Sequence, residues 1–188
     1  MVLGDSRVGK IHFDPTAINF RCSVEEFYGM KYKAGDGNEY LLAMYDTGGE
    51  YELDHFRSLY YPRTDVFLLC FSVLDPASFD NIRTLVVIEQ WAPEVADYLP
   101  SAATLVVGTK VDLRHDATVI DALRDRRSAP IQYEQGVSMC KDVGAAGYVE
   151  CSSLTGYGIN VVFDEVVRIG RELPVKQPRR PPRACIIA

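Results

Sequence analysis

The residues with the sharpest chemical meaning in this chain are Thr109-Lys110-Val111-Asp112. A carboxylate at Asp112 can accept from both the ring N–H and the exocyclic amine of guanine, and the Lys110 stem can lie along the base. Adenine presents the opposite donor pattern, so such a group selects. Glu150-Cys151-Ser152-Ser153-Leu154 adds a loop whose backbone amides, at Ser152, Ser153 and Leu154, can bind the guanine oxygen. Gly4-Asp5-Ser6-Arg7-Val8-Gly9-Lys10 matches the front of a phosphate-binding loop, in which backbone amides surround the phosphates and a lysine reaches the outer ones. Asp46-Thr47-Gly48-Gly49 supplies a carboxylate able to hold Mg²⁺ through water and, at Gly49, an amide for a terminal phosphate. Each motif alone fits ordinary loop chemistry. Four in this order predict a guanine nucleotide, GTP or GDP, with Mg²⁺.

Such groups need strands to carry them. Short apolar runs occur at Leu41–Tyr45, Val66–Phe71, Thr104–Val107 and Tyr148–Cys151, each followed by a polar or glycine-rich break. Ile159 to Arg171 reads as a helix, with Ile159, Val162, Phe163, Val166, Val167 and Ile169 on one apolar face. Strands alternating with helices predict an α/β fold, a mostly parallel sheet with helices on both faces. Ligands bind such sheets beyond the carboxyl ends of the strands, where Asp46, Asp112 and Ser152 fall. The first strand is reduced to Val2-Leu3, against the 5–6 residues of an average strand.

At 188 residues and 47% hydrophobic content, one domain with a full core is expected. No apolar run approaches the roughly 20 residues of a membrane span, and no leader pattern opens the chain, so a cytoplasmic protein is expected; a monomer is expected as well. The five cysteines show neither paired nor metal-ligand spacing. The first 175 residues hold 16 basic and 26 acidic side chains, a balance of −10 that argues against nucleic acid as a partner. Lys176, Arg179, Arg180 and Arg183 lie instead in a proline-rich tail, 174–188, suited to an anionic membrane face.

Together these motifs resemble the Rho family of small GTPases. The likeness extends through Arg57–Val73, through Val107–Arg114 with threonine at Thr109, and through 114–136, which is similar to that family's helical insert. The resemblance implies a phosphate-loop G-domain over 1–173 and a switch between GTP and GDP states. It further implies effector, exchange-factor and activating-protein partners, and signalling to the cytoskeleton or cell polarity. Cys185-Ile186-Ile187-Ala188 resembles a prenylation signal, with Ala188 favouring farnesyl on Cys185. A single lipid holds a membrane marginally, so the tail's arginines would be the second anchor, on the cytoplasmic face of the plasma membrane.

Several residues depart from that family's pattern. Ser6 replaces a phosphate-loop glycine, and Ile11 replaces the Ser/Thr that holds Mg²⁺. Glu50 stands where a catalytic glutamine orients water, and an ionised carboxylate can accept a hydrogen bond there but not donate one. Segment 11–23 lacks the family's effector loop; Pro15-Thr16 repeats its Pro-Thr pair but stands too far from Asp46. Leu85–Gln90 reads as an insertion that lengthens a helix despite its β-branched residues. Two functions stay open on these grounds: a switch with impaired hydrolysis, or a degenerate, membrane-anchored binding module.

Overall fold

A computed structural model of the chain describes residues 1–5, 8–9, 25–47, 64–91 and 103–174. Among the described residues, six strands form one sheet in the order β2-β3-β1-β4-β5-β6. They are β1 (Val2–Leu3), β2 (Glu25–Lys33), β3 (Glu39–Thr47), β4 (Val66–Ser72), β5 (Ala103–Thr109) and β6 (Gly147–Glu150). Only β2 runs antiparallel, paired with β3 from Glu25↔Thr47 to Lys33↔Glu39; the other neighbours are parallel. The helices are α1 (Pro76–Trp91), α2 (Ala117–Asp125), α3 (Tyr133–Asp142) and α4 (Ile159–Glu172).

β4 shows why the sheet sits in the middle of the molecule. All seven of its residues are buried, and they alternate between two cores. Val66, Leu68 and Cys70 join Val162 and Phe163 of α4 on one face, while Phe67, Leu69 and Phe71 meet Phe79 and Ile82 of α1 and Met139 of α3 on the other. β5 repeats the pattern, with Leu105 and Val107 towards α4 and Val106 opposite. A strand covered on both faces has no polar side to show, which is why these runs read as continuously apolar.

The runs expected at Leu41–Tyr45, Val66–Phe71, Thr104–Val107 and Tyr148–Cys151 became β3 to β6, and the expected terminal helix is α4. The short first strand is also observed, yet it holds the centre: Val2 registers with Asp46 on one side and Leu68 on the other. Segment 85–90 lies within α1, which runs on to Trp91. The stretch 114–136 contributes α2 and the first turn of α3. β2 was not anticipated. Its Met30 and Tyr32 pack towards α4, while Gly29 and Lys31 face solvent. The Tyr32 hydroxyl lies 3.0 Å from both the Asn160 carbonyl and Asp164 Oδ1, which also accepts from the Gly35 amide at 2.9 Å.

Candidate functional site

The predicted phosphate loop leaves β1 through Gly4, whose φ of 143° favours glycine and whose position leaves no room for a side chain. A Cβ there would collide with the carbonyl oxygen of Cys70 in β4. Asp5 is fixed by Asn81 of α1, whose Nδ2 donates to Asp5 Oδ2 at 2.8 Å. Val8 is 1% exposed and packed into the α4-side core. Gly9, at φ 100°, lies beside the loop that follows β5: a Cβ there would sit 3.9 Å from Lys110 Cε and from Thr109 Oγ1.

That second loop is the candidate base site. Thr109 ends β5, and its buried hydroxyl lies 2.5 Å from the Val8 carbonyl and 2.9 Å from the Phe71 carbonyl. A threonine hydroxyl has one proton, so the two acceptors share it. In either case Thr109 pins the phosphate loop to the sheet with its own side chain inside the protein. Lys110 takes the left-handed conformation, φ 61°, a strained state for a non-glycine residue that turns the chain into the 3₁₀ turn Val111–Leu113. Asp112 sits in that turn, partly buried, and its carboxylate has no partner among the described residues.

The loop after β6 approaches the same place. Cys151 N–H donates to the Gly108 carbonyl at 2.8 Å, and Val111 N–H donates to the Cys151 carbonyl at 3.4 Å. Ser152 is fully buried: its amide donates to the Tyr157 carbonyl at 2.8 Å, and its hydroxyl accepts from Thr155 N–H at 3.2 Å. Ser152 thus shapes the loop, and its amide is already taken. The exposed Ser153 and Leu154 have amides with no partner among the described residues, which makes them the donors available to a ligand. The turn closes through Gly158, φ 72°, where a Cβ would collide with the Glu150 carbonyl oxygen.

A charged clamp joins the two base-side loops. Arg114 donates from Nη1 to Glu150 Oε2 at 2.8 Å and from Nη2 to Oε1 at 2.5 Å, and from Nε to the Ile131 carbonyl at 3.0 Å. Tyr148 adds its hydroxyl to Glu150 Oε1 at 2.6 Å. The bond to Glu150 holds Arg114 above the usual arginine range, and burial, with that same carboxylate, pushes the Tyr148 phenol up. Burial also pushes the Cys151 thiol up to about 12, which keeps it an inert, protonated filler.

Among the predicted site residues, the fold therefore gathers Gly4, Asp5, Val8, Gly9, Thr109, Lys110, Asp112, Ser152, Ser153 and Leu154 at the carboxyl ends of β1, β5 and β6. Asp46 and Thr47 close β3, with Asp46 in register with Val2; of these two the backbone alone is described. Ser6, Arg7, Lys10, Gly48, Gly49, Glu50 and the lipid-accepting Cys185 lie outside the described residues, as do Ile11 and Thr16. Asn81 and Tyr148 were missed by sequence reasoning. Neither stands in a motif, and each acquires its role through a contact set by packing.

A mostly parallel sheet in this strand order, with a glycine-bearing loop after β1 and the Asp112 turn after β5, fits an α/β domain of the small GTPase class. Residues 1–171 match the model of the Ras family, and the chain belongs to that family. Small GTPases of this family are switches that bind GTP or GDP with Mg²⁺.

Proposed function

We propose that this chain is a Rho-like member of the family that binds GTP and GDP through Asp112 and hydrolyses GTP slowly. The observation that carries the reading is the partly buried Asp112 carboxylate, without a partner among the described residues, in a turn reached through strained Lys110 and tied to the loop that exposes Ser153 N–H. A carboxylate half removed from water and left unpaired is suited to a ligand that brings two N–H donors. Helix α2, inside 114–136, supports the Rho-like assignment. In this reading the amides of Gly4 to Gly9 with Lys10 hold phosphates, Gly49 meets the terminal phosphate, and Asp46 holds Mg²⁺ through water. Glu50 in place of glutamine slows hydrolysis, because it can accept from the attacking water but adds charge where negative charge already builds. Cys185 carries a farnesyl group, and the tail's basic residues hold the protein to an anionic cytoplasmic membrane face. Effectors, exchange factors and activating proteins of Rho type are its partners.

A second reading, a degenerate module that keeps the fold and anchor but turns over no nucleotide, is favoured by Ile11 and Glu50. The nucleotide content of protein purified in Mg²⁺ buffer separates the two. Stoichiometric GTP or GDP is the result expected of the switch, and an empty site is that of the module. Asp112→Asn removes the acceptor pair and is expected to weaken GTP about 10- to 150-fold, the equivalent of about 1.5–3 kcal/mol for charge-assisted bonds, while favouring xanthine nucleotides. Unchanged GTP affinity in that variant removes Asp112 as the base reader.

A further inference from the structure

We propose that Tyr148 is a positioning residue for base selection, holding the Glu150–Arg114 clamp in the form that presents Asp112 to guanine; the inference rests on Asp112 as the base reader. Two glycines set the place of its ring. Tyr148 and Glu150 stand two apart in β6 and so share one face of the sheet, beside Gly108 of β5, which registers with Glu150. A Cβ on Gly108 would sit 2.6 Å from the Tyr148 hydroxyl and 3.4 Å from Glu150 Cγ. On the helix side α3 passes the ring at Gly136, which is buried, and a Cβ there would collide with Tyr148 Cζ and Cε1. A side chain at either glycine would take the ring's place. The ring is also stacked on Phe71 of β4, 11° from parallel with centroids 6.2 Å apart, and Tyr133 of α3 tilts against it at 5.4 Å.

A ring confined in this way delivers its hydroxyl to one point. It donates to Glu150 Oε1 at 2.6 Å, the same oxygen that accepts from Arg114 Nη2. Burial, with that carboxylate, pushes the phenol up, so it remains a donor at neutral pH. Two donors on Oε1 and Arg114 Nη1 on Oε2 together narrow the terminal torsion of the carboxylate, which is otherwise broad. What the carboxylate orients is the base turn. The Arg114 amide closes that turn on the Val111 carbonyl at 3.2 Å, and Glu150 leads directly into Cys151, whose carbonyl accepts from Val111 N–H. The backbone on both sides of Asp112 is thus tied to β6, before it through Cys151 and after it through the clamp. With the phenol gone, the guanidinium fork keeps its partner but not a fixed plane, and Asp112 loses the alignment that two N–H bonds from one base require.

Competition against a fluorescent GDP in Mg²⁺ buffer gives the affinities of the full chain for GDP and for inosine diphosphate, whose base lacks only the exocyclic amine. A bond from that amine to a carboxylate gives a native preference for GDP of about 10- to 150-fold. In Tyr148→Phe, which keeps the ring and its stack, the preference is expected to fall at least about threefold, since a hydrogen bond weakens steeply as its angle opens. A purely structural role would lower both affinities alike and leave their ratio in place. Gly136→Ala, which drives the ring away from α3, is expected to reproduce the fall, whereas Tyr133→Phe, outside the clamp, keeps the native ratio. A native protein that binds the two nucleotides equally overturns the reading of Asp112 and this inference with it. A native preference retained in full by Tyr148→Phe, or an equal loss in Tyr133→Phe, overturns the inference alone.

Discussion

Glu150→Gln tests the clamp that joins the two base-side loops with almost no change of shape. In the native protein Oε2 accepts from Arg114 Nη1, while Oε1 accepts from Arg114 Nη2 and from the Tyr148 hydroxyl. Glutamine keeps one acceptor oxygen and turns an NH₂ towards the others, so one guanidinium N–H faces a donor and the Arg114 charge loses its counter-charge. A hydrogen bond to a charged group contributes about 1.5–3 kcal/mol, and breaking a fully buried pair costs about 3–5 kcal/mol. The two side chains each retain 11% exposure and the Nε bond to Ile131 survives, which places the cost at about 2–3 kcal/mol. For a chain of this size that lowers the melting temperature by roughly 4–12 °C. Urea denaturation of Glu150→Gln, Arg114→Leu and the double variant measures both cost and coupling. The double variant should lose at least about 1 kcal/mol less than the two single losses together, because the second change no longer strands a charge. A Glu150→Gln protein within about 0.5 kcal/mol of the native one, or strictly additive losses, would refute the assignment of the clamp.

Two further perturbations follow from the same region and from α4. Gly158→Ala puts a methyl group against the Glu150 carbonyl at a left-handed φ of 72°, and should destabilise by more than about 1 kcal/mol. Gly170→Ala, with open space at its Cβ within a helix, should stabilise by up to about 1 kcal/mol; calorimetry that found the two glycines equivalent would contradict the geometry. For alkaline pH, the Tyr148 phenol is raised above its usual 10 by burial and by Glu150, so its contribution is complete below about pH 10 and is lost as pH rises further, where the unfolded chain ionises first. Urea midpoints should therefore fall more steeply above pH 10 in the native protein than in Tyr148→Phe, and parallel slopes would show that the buried phenol does not hold its proton.

The strands that form the centre of this protein were legible because burial on both faces leaves a continuous apolar run, as in Val66–Phe71, and α4 was legible because one of its faces is apolar at helical spacing. The motif order then placed the base and phosphate groups at strand ends, a consequence of how parallel sheets are connected. β2 was harder to read. The exposed Gly29, Lys31 and Lys33 interleave with Met30 and Tyr32, and an edge strand with one exposed face gives a weak pattern until β3 lies beside it. Segment 85–90 reads as β-branched and unfavourable for a helix, but its backbone continues α1. The helical backbone there runs against a preference of only a few tenths of a kcal/mol per residue.

By itself the sequence determined the class of fold, singled out Asp112 as the candidate guanine-selecting carboxylate and marked the departures at Ser6, Ile11 and Glu50, because each depends on residue type and short spacing. Only the tertiary structure decided which of the described candidate residues turn inward and which stay without a partner. Thr109 reaches back 101 positions to the Val8 carbonyl, Asn81 reaches 76 to Asp5, and Arg114 reaches forward 36 to Glu150. Contacts at such separations follow from strand register and helix packing, which no local pattern encodes. They turned Thr109 and Ser152 inward as supports and left the Asp112 carboxylate partly buried, without a partner among the described residues, beside the exposed Ser153.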